Sequence, residues 1–386
     1  MTRKWSSFMP SARKTWLAVA AAFVLNGGLF GAWASRIPSV VQQNAINGGQ
    51  LGLLLLLLAL GAIVSFPLAG RASDTFGAAR TTLAIAVFYA LALILIALAP
   101  SLWLLAPALF LFGGAHGSMD VAMNSWAGEA ERYIGRRVMS SLHAMWSLGA
   151  GLGAAAGYLA VKLDLSLIVH FTVFAVLLYA VTSRFAHIGW QSETRPRAPG
   201  GSLFPLPRGP LLWVGIIAMC ASIGEGAMAD WSALFLVSVT SASEAQAALG
   251  YTVFSMAMVI MRLIGDRVIS ILGPTQAARL AGSSALAGVL LAVLFANLYT
   301  ALAGFVLLGV GYALIMPLAI TRAANDPQTP PGVAIASVAT LGYGAMLFGP
   351  PAIGFTAHFI TLHYAFCLLG ILAFFIILCA PALDRR

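Results

Sequence analysis

Residues 50–99 read QLGLLLLLLALGAIVSFPLAG, then RASDTFGAAR, then TTLAIAVFYALALILIALA. Two uncharged runs flank a short polar segment, and each run has the length of about 20 apolar residues that an α-helix needs to cross the hydrocarbon layer of a bilayer. A water-soluble core helix alternates apolar and polar faces, and these runs do not. The stretch therefore predicts a hairpin of two membrane-spanning helices joined on one side of the membrane by a turn carrying Arg71, Asp74 and Arg80.

Outward from this hairpin the same alternation recurs from Trp16 almost to the end of the 386 residues. The chain is 60% hydrophobic and 9% charged, with a mean hydropathy of +0.93, a balance that no soluble domain requires. The pattern predicts helices over 15–35, 50–70, 81–99, 102–127, 140–162 and 166–187, then 210–238, 246–264, 277–296, 299–322, 332–357 and 361–382. This is an all-α integral membrane protein of twelve transmembrane helices. Residues 188–209, GWQSETRPRAPGGSLFPLPRG from Gly189 onward, are polar, basic and rich in Pro and Gly, and read as a cytoplasmic linker. They separate an N-terminal six-helix bundle, 1–187, from a C-terminal one, 210–386. The halves echo one another, as expected of two pseudo-symmetric bundles. Trp33 precedes Leu51-Gly52 by the interval at which Trp231 precedes Leu249-Gly250, and each half then carries an Arg–Asp cluster, Arg71 to Asp74 and Arg262 to Asp266-Arg267.

The net charge of +9 does not point to nucleic acid. With the N-terminus placed in the cytoplasm, nineteen of the 21 Lys and Arg fall on the cytoplasmic side or its interface, leaving Arg36 and Lys162 outside. That asymmetry is the positive-inside rule, and it places both termini in the cytoplasm. Ala32-Trp33-Ala34 resembles a signal-peptide cleavage site, but losing the first helix would reverse every later loop. Cys220, Cys367 and Cys379 all lie in apolar runs and suggest neither a disulfide nor a metal site. No cofactor is expected. The chain lacks a G-x-x-x-x-G-K-[ST] loop, so an ion or solute gradient is the expected energy source.

Gly70, Asp74, Gly77 and Arg80 stand at the spacing of the loop signature of the major facilitator superfamily, which the chain resembles over its full length. The resemblance implies the two-bundle fold, action as a monomer, and a charged latch at Arg71, Asp74 and Arg80, repeated at Asp266 and Arg267, that breaks when the bundles rock. Asp120 to Asn124 on the fourth helix and His143 to Gly149 on the fifth look most like the L-fucose permease-like sugar–proton symporter branch. That similarity implies proton and sugar handling at Asp120, while Asn26 occupies the region where the branch carries a second acid. Arg36-Ile37-Pro38, the stretch Glu225 to Trp231 and Gly349-Pro350-Pro351 resemble bacterial members related to a putative rhizopine carrier, and place the chain in a bacterial inner membrane.

Carboxylates facing lipid cost roughly 2.5–3.5 kcal/mol on insertion scales, so Asp120, Glu225 and Asp230 are expected to face a water-filled cavity. His116, Asp120 and Asn124 are spaced by four and share one helix face, where a histidine and a carboxylate can exchange a proton. Packing through buried hydrogen bonds is the structural alternative for each. His116, Asp120, Glu225 and Asp230 are the proton-coupling candidates. Asn26, Trp33, Arg36, Asn124, His143, Trp146, Trp231 and Tyr343 are the solute-binding candidates; the aromatics among them could equally pack the core, and Arg36 could be a gate or snorkel to headgroups. Gly149, Gly153 and Gly157 form a small-residue stripe expected to pack bundle against bundle, and Pro350 and Pro351 are expected to bend the eleventh helix. The leading reading is proton-coupled symport of a small polar, sugar- or polyol-like solute. Proton-driven efflux of a metabolite or drug is the alternative, and a non-transporting receptor or membrane enzyme is a weaker one, since the scattered histidines make no metal site and no nucleophile cluster is present.

Overall fold

A computed structural model describes residues 10–136, 138–194, 206–329 and 331–384, and among them the chain is helical throughout, with no strand. The first six long helices are α1 (Ala12–Ser35), α2 (Gly48–Phe76), α3 (Ala78–Leu98), α4 (Leu102–Ile134), α5 (Met139–Lys162) and α6 (Leu167–Ala186). The second six are α7 (Pro210–Thr240), α8 (Glu244–Leu272), α9 (Pro274–Phe295), α10 (Leu298–Ala324), α11 (Pro331–Ile360) and α12 (Leu362–Leu383). A short helix, Ile37–Asn44, follows α1. Among the described residues eleven helices are long and apolar enough to cross a membrane, and α11, at 30 residues, completes the expected twelve.

Large apolar side chains point outward as well as inward: Phe88 is 66% exposed and Phe359 80%. Such a surface needs lipid as its solvent. With core and surface both apolar, hydrophobicity cannot choose which faces meet, and small residues take over that task. A Cβ on Gly153 would overlap the carbonyl of Gly28, one on Gly149 that of Val24, and one on Gly31 that of Ala150. The glycine stripe of α5 is therefore buried against α1 inside the first bundle, correcting the expectation that it packs bundle on bundle. The bundles instead meet along α5 with α8, where Gly151 faces Ser255 and Met256, and along α2 with α11, where Gly52 faces Pro350, Pro351 and Gly354.

Several helices outrun the lengths predicted from hydropathy. α2 continues through Arg71 and Asp74 to Phe76, and Gly77, at φ +90, turns the chain directly into α3. The expected turn is thus a single residue in a backbone region that favours glycine. α11 stays helical through Pro350 and Pro351, while the interruptions fall at Leu314 in α10 and Phe366 in α12. The start of the linker is docked rather than free. Trp190 Nε1 donates to Glu129 Oε2 at 2.8 Å, the Glu193 amide to Glu129 Oε1 at 3.2 Å, and the Ala79 amide to Ser192 Oγ at 3.0 Å. Its central part lies outside the described residues.

The chain enters α1 and leaves α12 on one face, here the terminal face. The ends of α1 and α11 and the starts of α2 and α8 lie on the opposite, far face. Gly52, close to Gly354, places the α2–α11 contact near that far face.

Candidate functional site

Both bundles line a cavity of about 360 Å³, with α1, α2, α4 and α5 on one side and α7, α8, α10 and α11 on the other. The i, i+4 spacing on α4 does what the sequence predicts: His116, Asp120 and Asn124 all reach the wall. Asn124 Nδ2 donates to Asp120 Oδ1 at 3.0 Å and to the Asp120 carbonyl at 2.9 Å. His116 is stacked on Phe30, with centroids 4.8 Å apart, and its Nδ1 lies 2.9 Å from the Tyr89 hydroxyl. Among the described residues His116 and Asp120 are thus each bonded elsewhere rather than to one another.

On α5, His143, Trp146 and Ser147 face the cavity, and His143 packs edge-on to Phe23 at 5.3 Å. Asn26 stands behind this wall, fully buried. It accepts Trp146 Nε1 at 2.7 Å and donates to the His116 carbonyl at 3.4 Å, fixing the indole rather than lining the cavity. Opposite, Glu225 of α7 pairs with Arg262 of α8 at 3.2 Å, and Arg262 Nη1 donates to Ser147 Oγ at 2.7 Å.

Four further candidates, besides Asn26, lie away from this wall. Trp33 is fully buried beside Phe112, at 6.1 Å, and Trp231 is buried near Gly354 at the far-face seam. Asp230 is buried at 8% exposure and off the lining, which corrects the expectation that all three acids face the cavity; five residues along α7 carry it to a different side of the helix from Glu225. Arg36 sits at the far face, where Nε donates to Ser39 Oγ at 2.8 Å and Nη2 to the Leu165 carbonyl at 3.4 Å, and Glu244 of α8 lies 3.6 Å away. It joins the bundles and touches no part of the cavity. Arg71, Arg80 and Arg267 are exposed and Asp74 half-buried, with no ion pair to any of them among the described residues. The side chains of Asp266 and Tyr343 lie outside the described residues.

Sequence reasoning missed Arg262, Ser147, Tyr89, Tyr251 and Glu244. The charge distribution places Arg262 with the cytoplasmic basic residues, yet α8 runs on to Leu272, ten residues or about 15 Å further. The apolar VISIL at 268–272 was the available signal.

Comparison with known proteins gives a consistent picture. The profile of the Major Facilitator Superfamily matches residues 15–344. The uncharacterised transporter y4wD of Sinorhizobium fredii is 49% identical over 370 residues, covering 96% of this chain and 98% of that protein. The membrane protein MosC of Rhizobium meliloti is 34% identical over 92% of this chain and 87% of its own length. An uncharacterised MFS-type transporter of Yersinia pestis is 33% identical, over 94% of each. Among solved structures, a variant of the nucleoside transporter NupG superposes with a TM-score of 0.76 at 13% identity, covering 96% of this chain and all of that one. The human organic anion transporter MFSD10 gives 0.68 at 16% identity, over 97% of this chain and all of that one. At these identities the structural likeness speaks for the fold alone.

Proposed function

The chain belongs to the major facilitator superfamily, and on that premise we propose that it is a secondary transporter carrying a small polar solute, in symport with protons, through the cavity between its two bundles. The observation that carries this reading is the composition of that cavity. Polar groups from both bundles, Asp120 and Asn124 on one side and Glu225 and Arg262 on the other, converge on about 360 Å³, at the lower end of the range of small-molecule sites. Trp146 and Phe30 supply flat apolar faces beside them, a combination suited to a sugar or polyol ring, whose hydroxyls need donors and acceptors and whose C–H faces stack. Because the walls come from different bundles, rocking residues 1–187 against 210–386 exposes the cavity to one side at a time, and one chain suffices. The termini are taken as cytoplasmic and the membrane as the bacterial inner membrane, from the distribution of Lys and Arg and the bacterial relatives.

Asp120 is assigned the coupling proton, with His116, Glu225 and Asp230 as further carriers, since intramembrane acids generally mark ion pathways. Phe66, Met258, Met316 and Ile320 also line the cavity and favour a second reading, proton-driven efflux of a more apolar compound.

The test begins with thermal stabilisation of the purified protein by sugars, polyols, amino acids, organic acids and drugs at two pH values, because a ligand that binds the native state raises its stability. Stabilising compounds then go into proteoliposomes under a pH gradient imposed in either direction. Accumulation driven by inward proton flow, lost in Asp120→Asn, supports symport; movement against the proton flow establishes efflux; equilibration blind to the gradient removes proton coupling.

A further inference from the structure

Between described residues, two side-chain polar contacts cross from the first six helices to the last six. One is Arg36 with Glu244 at the far face, and the other is Arg262 with Ser147 in the cavity wall. The second differs from a simple staple because its arginine is shared. Arg262 Nη1 donates to Ser147 Oγ of α5 at 2.7 Å, while Nη2 addresses both oxygens of Glu225 on α7, at 3.2 and 3.4 Å. A guanidinium is a rigid planar fork, so whatever orients one arm orients the other. The Arg262 side chain is 10% exposed and Ser147 is buried at 1%, so the serine has no water to replace this donor.

We propose that Arg262 is a positioning residue for proton coupling: while Glu225 is a carboxylate, it holds the guanidinium where Nη1 reaches Ser147 of the opposite bundle, and a proton on Glu225 releases that tie. This rests on the proton-coupled reading of the cavity. The step balances simply. A proton from cavity water adds to a Glu225 oxygen, the ion pair loses its negative member, and Arg262, which stays protonated, turns toward the cavity. The titratable groups around the pair are His143 on α5 and Tyr251 on α8, which feel the Arg262 charge, Tyr312 on α10, which faces Glu225 beside Gly224, His116 and Asp120 on α4 across the cavity, and Asp230 further along α7. Among the described lining residues Asp120 is the other acid. The titration of Glu225 is thereby read as a change in how firmly the bundles are tied. Loss of a hydrogen bond to a charged donor shifts the equilibrium between bundle positions by about ten- to a hundredfold.

The experiment uses the full chain in lipid nanodiscs, with Cys220, Cys367 and Cys379 replaced by alanine and spin labels at Gln43 and Tyr299, exposed residues on the far face of either bundle. Distance distributions are recorded at neutral and acid pH. Acid is expected to enlarge the far-open population of the parent. Glu225→Gln should show that enlarged population at both pH values. Ser147→Ala, which removes one oxygen atom, should show it too and lose the pH response, and the double variant should go no further. A parent insensitive to pH, a Ser147→Ala variant that keeps the parent's pH response, or a Glu225→Gln variant that still titrates overturns the proposal. No solute is needed, so a chain that passes here but shows no gradient-driven uptake would sink the transport reading and leave the relay standing.

Discussion

Charge reversal at Glu244 should open the far face. Arg36 is held within the first bundle by Ser39 and the Leu165 carbonyl, so its position does not depend on Glu244, yet Glu244 is the charge that faces it from the second bundle. The separation is 3.6 Å, longer than a charge-assisted hydrogen bond, and Glu244 is 28% exposed against 6% for Arg36. That geometry lies between an exposed pair and a buried one, which puts the tie at about 1–2 kcal/mol. Glu244→Lys replaces attraction with repulsion, so the far-open population should rise by roughly 5- to 30-fold. A reporter thiol fits the seam at Gly48→Cys, where a Cβ would meet only the Gly354 carbonyl, at 3.8 Å. In a background without the three native cysteines, the labelling rate by a membrane-impermeant maleimide tracks that population. Glu244→Gln should give a smaller rise than Glu244→Lys. Labelling of the lysine variant at the parent rate would show that the pair does not hold the far face, leaving that task to backbone packing such as α2 on α11.

Gly153→Leu should lower the apparent melting temperature by several degrees, because the side chain would drive α5 off the carbonyl of Gly28; overpacking of this kind costs about 1–3 kcal/mol. A scanning fluorescence melt unchanged from the parent would refute it. Trp146→Phe keeps the aromatic face but leaves the buried Asn26 oxygen without its 2.7 Å donor, at about 1–3 kcal/mol, so the same assay should register a loss that Trp103→Phe, at an 86% exposed site, does not show. Asp326, in the turn after α10, is pushed up by burial but held below its ordinary range overall by hydrogen bonds from Arg322, Thr329 and Gln328 and by the Arg322 charge. A depressed folded value means stability that is present above the unfolded value of about 3.9 and lost as pH falls through the lower folded one. The melting temperature of Asp326→Asn should therefore converge on that of the parent below about pH 4; a constant difference down through that range would contradict the assignment.

The fold was largely legible because a bilayer imposes a length and a composition on every crossing, and both are linear properties of the chain. The α4 triad was legible for a similar reason, since spacing alone fixes a helix face. Helix ends were harder. Hydropathy marks where lipid stops, but hydrogen bonding continues into the aqueous layer, as in α2 to Phe76 and α8 to Leu272. That difference moved Arg262 from a boundary residue into the cavity wall.

By itself the sequence determined the twelve-helix membrane fold, because length and composition carry it, and it supplied the expectation of two halves and of acids kept away from lipid. The tertiary structure decided which of those groups meet. It put the glycine stripe of α5 against α1, removed Arg36, Trp33 and Trp231 from the cavity, set Asn26 behind Trp146, and gave Arg262 partners in two bundles. The physical reason is that every helix here is apolar on most sides. Burial, which tells core from surface in water, carries little information in lipid, so neighbours are chosen by small-residue contacts and a few polar bonds between residues more than a hundred positions apart, such as Ser147 and Arg262.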